Sequence, residues 1–162
     1  MQYSIRPARK ADMSAVMRLI RELALFEKEP DAVETSVAQL EADGFGANPR
    51  FGCFVAEGPD GIDGMALYYP RYSTWKGPAL HLEDLIVTES ARGRGLGGDL
   101  LTAVIRKAHE SGVKRVCWEV LDWNDPAIDF YEARGARVLR DWDVVQLDEA
   151  GIANYLKSYA GI

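Results

Sequence analysis

Nine residues, 91-ARGRGLGGD-99, contain four glycines and two arginines. The segment fits two phosphate-binding patterns at once, G-x-G-x-x-G starting at Gly93 and R-x-x-G-x-G starting at Arg92. The first pattern is typical of dinucleotide-binding proteins, and the second indicates a different phosphate-bearing ligand. The elements on either side of the segment decide between them.

Apolar periodicity predicts strands and helices in mixed order along the chain. The predicted strands are 2–8, 51–57, 64–72, 79–87, 114–121 and 142–147. The predicted helices run from Asp12 to Glu27, from a cap at Thr35 to the glycines of 43–49, over 97–112, over 125–135 and along the C-terminus. The order βααβββαβαβα predicts one α/β (α+β) domain over residues 1–162, without the repeated βαβ units of a doubly wound sheet.

These surroundings disfavour a dinucleotide site. Glu119 does lie about 20 residues beyond the glycines, where a ribose-binding acid is expected. However, residues 88–92 separate the glycines from the preceding strand, that strand contains Glu83 and Asp84, and three strands come before it. The alternative is a pyrophosphate cradle, in which the strand ends at Val87 and a glycine loop leads into a helix N-terminus.

Composition narrows the class of protein further. The formal net charge is −6, and outside the glycine segment the basic residues are scattered, which argues against nucleic acid and mildly favours a cationic partner. No apolar run is long enough for a membrane span and no signal-peptide core is visible, so we expect a cytoplasmic protein. Cys53 and Cys117 lack metal-type spacing, and no metal site is predicted.

Two carboxylates interrupt an otherwise apolar predicted strand. Alternation along a strand predicts that Glu83 and Asp84 point to opposite faces. A carboxylate facing a cleft could accept a proton through water or pair with an ammonium group, whereas a buried ion pair with an arginine is the structural alternative. The sequence leaves Glu83, Asp84 and a water chain open as the general base. His81, two residues before Glu83, could relay a proton.

Six segments together resemble one enzyme family: 82-LEDLIV-87, 92-RGRGLGG-98, 123-WNDPAIDFYEARGA-136, 22-ELALFEKEPD-31, 41-EADGFG-46 and 68-YYPRYSTW-75. They are similar to the diamine (spermidine/spermine) branch of the GNAT N-acetyltransferases, whose members acetylate polyamines or thialysine-like amino acids. The resemblance implies a GNAT fold with a mixed, mostly antiparallel central sheet flanked by helices. It also implies acetyl-CoA as co-substrate, direct transfer in a ternary complex, and a homodimer. The alternative is a catalytically silent domain that binds acetyl-CoA.

The resemblance also assigns residues to each part of the site. Tyr131 is expected as general acid and Glu83 as the second catalytic residue. The acetyl-CoA residues implied are Leu85, Ile86, Val87, Arg92, Gly93, Arg94, Gly95, Leu96, Gly97, Gly98, Asn124, Asp125, Pro126, Ala127 and Tyr131. The substrate residues implied are Phe26, Glu27, Trp75, Glu83, Asp84, Cys117, Trp118, Glu119 and Asp141, the last with a one-residue gap in the match.

Overall fold

One five-stranded sheet carries the architecture, with its strands in the order β1-β2-β3-β4-β5. The strands are β1 (Ser4–Pro7), β2 (Gly52–Gly58), β3 (Gly61–Ser73), β4 (Gly77–Val87) and β5 (Val116–Cys117). The first three pairings are antiparallel and the last, between β4 and β5, is parallel. The prediction of a mixed, mostly antiparallel sheet is therefore confirmed.

The computed structural model describes residues 3–160 and groups the chain into two units, Met1–Glu119 and Val120–Ile162. The whole sheet belongs to the first unit. Gln2, the first residue of the predicted strand 2–8, lies outside the described residues. The single domain over residues 1–162 remains a prediction.

Helix α1 (Met13–Phe26) covers one face of the sheet. Its buried residues recur at helical spacing, at Met13, Val16, Met17 and Leu19. They share one apolar core with residues of the three central strands: Cys53, Val55, Met65, Leu67 and Ile86. Because side chains alternate along a strand, these residues define one side of the sheet, called here the α1 face.

Helix α3 (Leu96–Glu110) lies against the opposite face. Gly64 precedes Met65 on β3 and so points away from the α1 face. A Cβ added to Gly64 would lie 3.0 Å from a methyl group of Leu100, a buried residue of α3. The absence of a side chain at Gly64 thus lets this helix approach the sheet closely, which fixes the position of the helix N-terminus.

The remaining α-helix of the first unit, α2 (Val37–Phe45), has its N-cap one residue later than predicted. The hydroxyl of Ser36, rather than that of Thr35, accepts the N–H of Gln39 at 3.1 Å. Both residues are suited to capping, and only the backbone path decides which hydroxyl reaches the helix.

The second unit contains α4 (Asp125–Glu132) and α5 (Glu149–Tyr155), followed by one π-helical turn, Leu156–Ala160. The predicted strand 142–147 is wrong, because that segment pairs with no strand within residues 3–160. Its apolar residues are exposed, Val145 at 91% and Trp142 at 68%. The predicted strand 114–121 is shortened to β5. Alternating apolar residues suggest a strand, but the strand forms only where another strand pairs with it.

Candidate active site

The glycine segment joins the end of β4 to the start of α3. A 3-10 turn, Glu89–Ala91, leads into it. The first bond of the helical ladder runs from the N–H of Asp99 to the carbonyl of Gly95 over 3.1 Å. The helical N–H groups before Asp99 lie outside that ladder, and no side chain caps this helix. These N–H groups and the positive end of the helix dipole together favour an anion.

Two positions in this loop require glycine because of their backbone conformation. Gly93 and Gly95 have φ values of +75° and +83°, in the left-handed region that L side chains rarely adopt. A Cβ added at either position would meet no atom within 4 Å. The requirement is therefore one of backbone conformation, and the space above the loop is open. A pyrophosphate fits such an exposed backbone.

The two loop arginines are held by nearby groups. The Nε of Arg92 donates to the carbonyl of Val87 at 3.0 Å, and its guanidinium lies 5.8 Å from the ring centre of Phe26. A terminal nitrogen of Arg94 donates to the hydroxyl of Tyr3 at 3.4 Å. Both arginines are exposed, and these contacts use only part of each guanidinium's five N–H donors. The loop therefore has cationic donors as well as backbone N–H groups.

Helix α1 anchors the start of the loop. The carboxylate of Glu22 accepts the hydroxyl of Thr88 at 2.9 Å and the backbone N–H of Glu89 at 3.1 Å. This contact links positions 66 and 67 residues apart. The sequence analysis missed Glu22, because nothing local to either segment predicts their contact.

Beside the glycine loop, one edge of β4 has no strand partner among the described residues. Strands β4 and β5 pair only through Leu80 with Val116 and His81 with Cys117. Over residues 82–87, β4 pairs with β3 alone among the described strands. One edge of β4 is thus left without a strand partner over Leu85, Ile86 and Val87, which the resemblance assigns to acetyl-CoA. An open strand edge offers backbone N–H and C=O groups to an extended ligand.

A β-bulge interrupts the pairing of β3 with β4 in the middle of the predicted site. Leu67 pairs with Asp84, whereas Tyr68 pairs with Leu82, so that Glu83 is the extra residue. An extra residue breaks the alternation of side chains between the two faces. Asp84 consequently shares the α1 face with Leu67.

Glu83 points to the same side. His81 pairs with Tyr69, two residues from Leu67 on β3, and so also lies on the α1 face. The Oε2 of Glu83 lies 3.5 Å from the Nε2 of His81. The prediction that Glu83 and Asp84 point to opposite faces is therefore wrong, and the bulge is the physical reason.

Two carboxylates affect the titration of a third. The pKa of Asp84 is raised to about 7, mainly by burial and then by the negative charges of Glu83 and Glu27. Glu27 follows the last residue of α1, and partial burial raises the pKa of its carboxyl as well. Because each negative charge disfavours its neighbours, a cation bound among the three would stabilise all of them. Glu83 is half-exposed, so the group is open to solvent.

A second group of side chains continues from Glu83 along the same face. His81 is 6% exposed, and its ring centre lies 5.0 Å from that of Tyr69. Burial raises the pKa of the Tyr69 phenol, and the charge of Glu83 together with a hydrogen bond to it raises the pKa further. The Nδ1 of His81 contacts the Sγ of Cys117 at 3.6 Å and a guanidinium nitrogen of Arg71 at 3.4 Å.

The other substrate residues predicted in the first unit differ in their distance from these groups. Glu119 is exposed, and its charge contributes to the raised pKa of Tyr69. Trp118 is half-buried next to it. Trp75, 79% exposed, lies at the tip of the β3–β4 hairpin. The strand from the tip at Gly77 to Glu83 spans about 20 Å at about 3.3 Å per residue, so the described chain does not bring Trp75 to the carboxylates.

The remaining predicted residues belong to the second unit. The side chain of Asn124 caps α4 by accepting the N–H of Ala127 at 3.4 Å, and Pro126 occupies its first turn beside Asp125. The next helical turn carries Tyr131, which is half-buried. Burial raises the pKa of its phenol. Asp141 lies in an exposed turn that follows this helix.

Two residues of the first unit, Tyr69 and Arg71, were missed by the sequence analysis. Both alternate with apolar residues on β3 and read as ordinary strand residues. Their proximity to His81 follows from the register of the β3–β4 hairpin, which pairs Tyr69 with His81. The only sequence signal was the cluster 68-YYPRYSTW-75, which is unusually aromatic for a solvent-facing strand end.

Comparison with known proteins identifies the family of this chain. The profile of the acetyltransferase (GNAT) family matches residues 15–136, about three quarters of the chain. The chain belongs to the GNAT acetyltransferase family. The dinucleotide interpretation is thereby excluded, and the fold and the N-acetyltransferase activity expected from the sequence are confirmed.

Individual relatives agree with this assignment. A thialysine N-epsilon-acetyltransferase of Bos taurus is 43% identical over 145 residues, covering 85% of each chain. A spermidine/spermine N(1)-acetyltransferase-like protein of Homo sapiens is 38% identical over 83% of this chain and 20% of its own. An aminoglycoside N-acetyltransferase in complex with CoA shares the fold, with a TM-score of 0.72, 19% identity and coverage of 90% of this chain and 95% of its own.

Neither a membrane-spanning helix nor a metal-binding cluster is present in the described part of the chain. Within residues 3–160, no helix has the length and apolar character needed to cross a bilayer. The same residues contain no cluster of three or more histidine, cysteine or acidic side chains arranged to hold a metal ion.

Proposed function

We propose that this N-acetyltransferase transfers the acetyl group of acetyl-CoA to a primary amine of a small cationic substrate, either a polyamine or a thialysine-like amino acid. The observation that carries the proposal is the group of three carboxylates formed by Glu83 and Asp84 on the α1 face of β4 and by Glu27 at the end of α1. The residues that follow them on β4 have an open edge and lead into the glycine loop. An ammonium group bound there would lie beside the strand expected to hold the thioester.

The cofactor side is assigned to the loop and to the open edge of β4. Backbone N–H groups from Arg92 to Gly98, including that of Leu96, would bind the pyrophosphate, and both loop arginines would add charge-assisted bonds. Residues 85–87 would pair with the pantetheine arm and donate to the carbonyl that becomes more negative during transfer. By resemblance, Asn124 and Ala127 would also bind acetyl-CoA. Bound acetyl-CoA supplies the acetyl group as a thioester.

The amine side is assigned to the two adjacent carboxylates. Glu83, open to solvent, would contact the substrate ammonium. Asp84 has a pKa of about 7, close to the pH at which an acid–base group works best, and would take the amine's proton directly or through water. Glu83 would hold the amine in place. The other substrate residues remain proposals: Phe26, Glu27, Trp75, Cys117, Trp118, Glu119 and Asp141.

Tyr131 is proposed as the general acid that protonates the leaving thiolate. Burial raises the pKa of its phenol above the ordinary value of about 10, so the proton is present at neutral pH. A phenol of this kind can donate as negative charge develops on sulfur. The transfer would be direct, in a ternary complex, because neither Cys53 nor Cys117 falls in a motif that suggests a covalent acyl-enzyme. Cys53 is in addition buried, with its pKa raised to about 12.

Two further proposals concern the protein as a whole. By resemblance the enzyme would be a homodimer with its substrate site near the subunit interface, where the exposed Trp75 of each hairpin tip could take part. Sedimentation of the purified chain at several concentrations tests this state. A cytoplasmic location also remains a proposal.

The test of the function follows thiol release from acetyl-CoA with spermidine and thialysine as separate acceptors, with the acetylated product identified by mass. We expect release with at least one acceptor, and a loss of about 10²- to 10⁴-fold in kcat for Tyr131→Phe. Tyr155→Phe removes the same hydroxyl group from an exposed position of α5 and serves as the control. This variant should keep full turnover.

If the protein binds acetyl-CoA but releases no thiol with either amine, the alternative of a catalytically silent acetyl-CoA-binding domain would be supported. Full turnover in Tyr131→Phe would remove the acid role from that residue while leaving the transferase intact.

A further inference from the structure

Arg71 is an exposed arginine of β3 beside the proposed amine site. It pairs across the hairpin with Ala79, and its guanidinium reaches back toward His81 on the neighbouring strand. One terminal nitrogen lies 3.4 Å from the Nδ1 of His81 and 3.6 Å from the Sγ of Cys117. None of the ion pairs found among residues 3–160 includes Arg71.

Both contacts use one terminal nitrogen of Arg71, so the paired N–H groups of its guanidinium remain available for a carboxylate. A thiol and a neutral ring nitrogen are weak acceptors compared with a carboxylate, and both contact the same terminal nitrogen. A guanidinium presents its N–H groups as a planar fork that matches the two oxygens of a carboxylate. Arg71 thus has the chemistry for a substrate carboxylate.

The imidazole of His81 links this cation to the amine site. Because a guanidinium only donates, a hydrogen bond from Arg71 to the Nδ1 of His81 requires the tautomer with the ring proton on Nε2. That nitrogen faces Glu83 at 3.5 Å. The positive charge of Arg71 and the negative charge of Glu83 are therefore separated by one imidazole ring and its two contacts. A diamino acid likewise carries an ammonium and a carboxylate at the two ends of a short alkyl stem.

The order along β4 fits one substrate orientation. Residues 85–87, beside the glycine loop, come first, then the carboxylates at 83 and 84, and then His81 with Arg71 beyond it. An amine held at the carboxylates would meet the thioester end. A carboxylate on the same molecule would extend away from it, toward the arginine.

We infer that Arg71, positioned by His81, binds the α-carboxylate of the acceptor and so selects diamino acids over polyamines. The inference rests on the proposed function, since it concerns the acceptor of that reaction. A polyamine would bring a second ammonium to the position of Arg71, where like charges repel. A diamino acid would complement both ends of the site.

The experiment compares thialysine with its decarboxylated diamine, bis(2-aminoethyl) sulfide, two acceptors that differ only in the carboxylate. For the wild type we expect a higher kcat/KM with thialysine. In Arg71→Gln, kcat/KM for thialysine should fall about ten- to hundredfold, the size expected from a lost charge-assisted bond, mainly through KM. The value for the diamine should stay the same or rise. Arg71→Lys, which keeps the charge but not the fork, should lie between.

Arg106→Gln is the matched control, because it removes the same charge from an exposed position of α3, which covers the opposite face of the sheet. An equal fall for both acceptors in Arg71→Gln, or no fall for either, would overturn the role of Arg71 while the transferase stands. Acetylation of neither acceptor by the wild type would instead overturn the proposed function.

Discussion

Glu83 and Asp84 are adjacent in sequence and on the same side of β4, yet they differ in environment. Glu83 is half-exposed, with His81 and Tyr69 beside it. Asp84 is largely buried, and this burial is the main cause of its pKa of about 7. The different environments suit the two carboxylates to different roles, Glu83 to contact with the substrate and Asp84 to proton exchange.

The pH dependence of kcat/KM tests this division. Asp84 must be ionised to accept a proton, so kcat/KM should fall about tenfold per pH unit below its pKa of about 7. An alkylammonium acceptor has a pKa of about 10 and stays charged over this range. In Asp84→Asn the acid limb should disappear, leaving a low and flat profile between about pH 5 and 8. The measurement is the initial rate of thiol release at subsaturating acceptor.

The variant Glu83→Gln tests whether the two carboxylates interact or Asp84 acts alone. The charge of Glu83 contributes to the raised pKa of Asp84, so its removal should move the acid limb to lower pH. Asp60→Asn, an exposed position in the β2–β3 turn, should leave the limb near pH 7. A limb that stays unchanged in Asp84→Asn would assign it to another group.

Thermal stability reports the same pKa without turnover. A carboxyl whose folded-state pKa is raised stabilises the fold fully below its unfolded pKa, about 3.9, and loses that contribution as pH rises through about 7. Wild type should therefore lose stability relative to Asp84→Asn between these two pH values, with no further difference above them. Melting curves of both proteins across this range give the comparison.

At the scale of elements, the glycine loop and α3 form one binding unit. The loop provides backbone in a left-handed conformation at Gly93 and Gly95, and the helix provides a free N-terminus. Contact between Gly64 and Leu100 holds the helix against the sheet. The anion site thus depends on a backbone conformation and on packing, in addition to the arginines.

Gly95→Ala should weaken acetyl-CoA binding and lower stability. Gly95 precedes α3 at φ +83°, and an L side chain in that region costs about 1–2 kcal/mol. Since no atom lies within 4 Å of an added Cβ, the cost arises from the backbone rather than from a clash. We expect a higher KM for acetyl-CoA and a lower free energy of unfolding in urea.

Gly112→Ala isolates the effect on binding. Gly112 follows the other end of the same helix at φ +68°, also in open space, so the backbone strain is similar. This variant should lose stability to a similar degree but keep the wild-type KM for acetyl-CoA. A raised KM in both variants would mean that general destabilisation, and not the loop conformation, governs binding.

At the scale of the whole molecule, charge is the property that the sequence gives directly. The chain carries a formal net charge of −6, and acidic side chains cluster at the proposed amine site. Such a field raises the local concentration of cations and speeds their association. A cationic acceptor is favoured by this charge, as it is by the site itself.

Salt should therefore slow the reaction with a diamine at low acceptor concentration. At about 1 M NaCl the Debye length falls to about 3 Å, and attraction beyond direct contact is screened. We expect kcat/KM for bis(2-aminoethyl) sulfide to fall as NaCl is raised to this level, and to fall less for thialysine, whose net charge is smaller. The rate at saturating acceptor is the internal control. An equal fall at saturation would indicate damage to the chemical step.

The prediction from sequence was most successful where a local pattern corresponds to a local structure. The glycines of 91–99 marked the loop and the helix start correctly, and apolar spacing located α1, α3 and the three long strands. It failed where structure depends on a partner, as in the segment 142–147 and in the length of β5. The cap at Ser36 instead of Thr35 is a failure by one residue, since both side chains carry the same chemistry.

The sequence by itself determined the family, the phosphate-binding loop and the presence of two carboxylates in an apolar strand, because each is written in consecutive residues. Only the tertiary structure decided which way those carboxylates point. The bulge at Glu83 brings both to the α1 face, and the β3–β4 register brings Arg71 to His81. Strand register sums many weak contacts between distant residues, and no short stretch of sequence contains that sum.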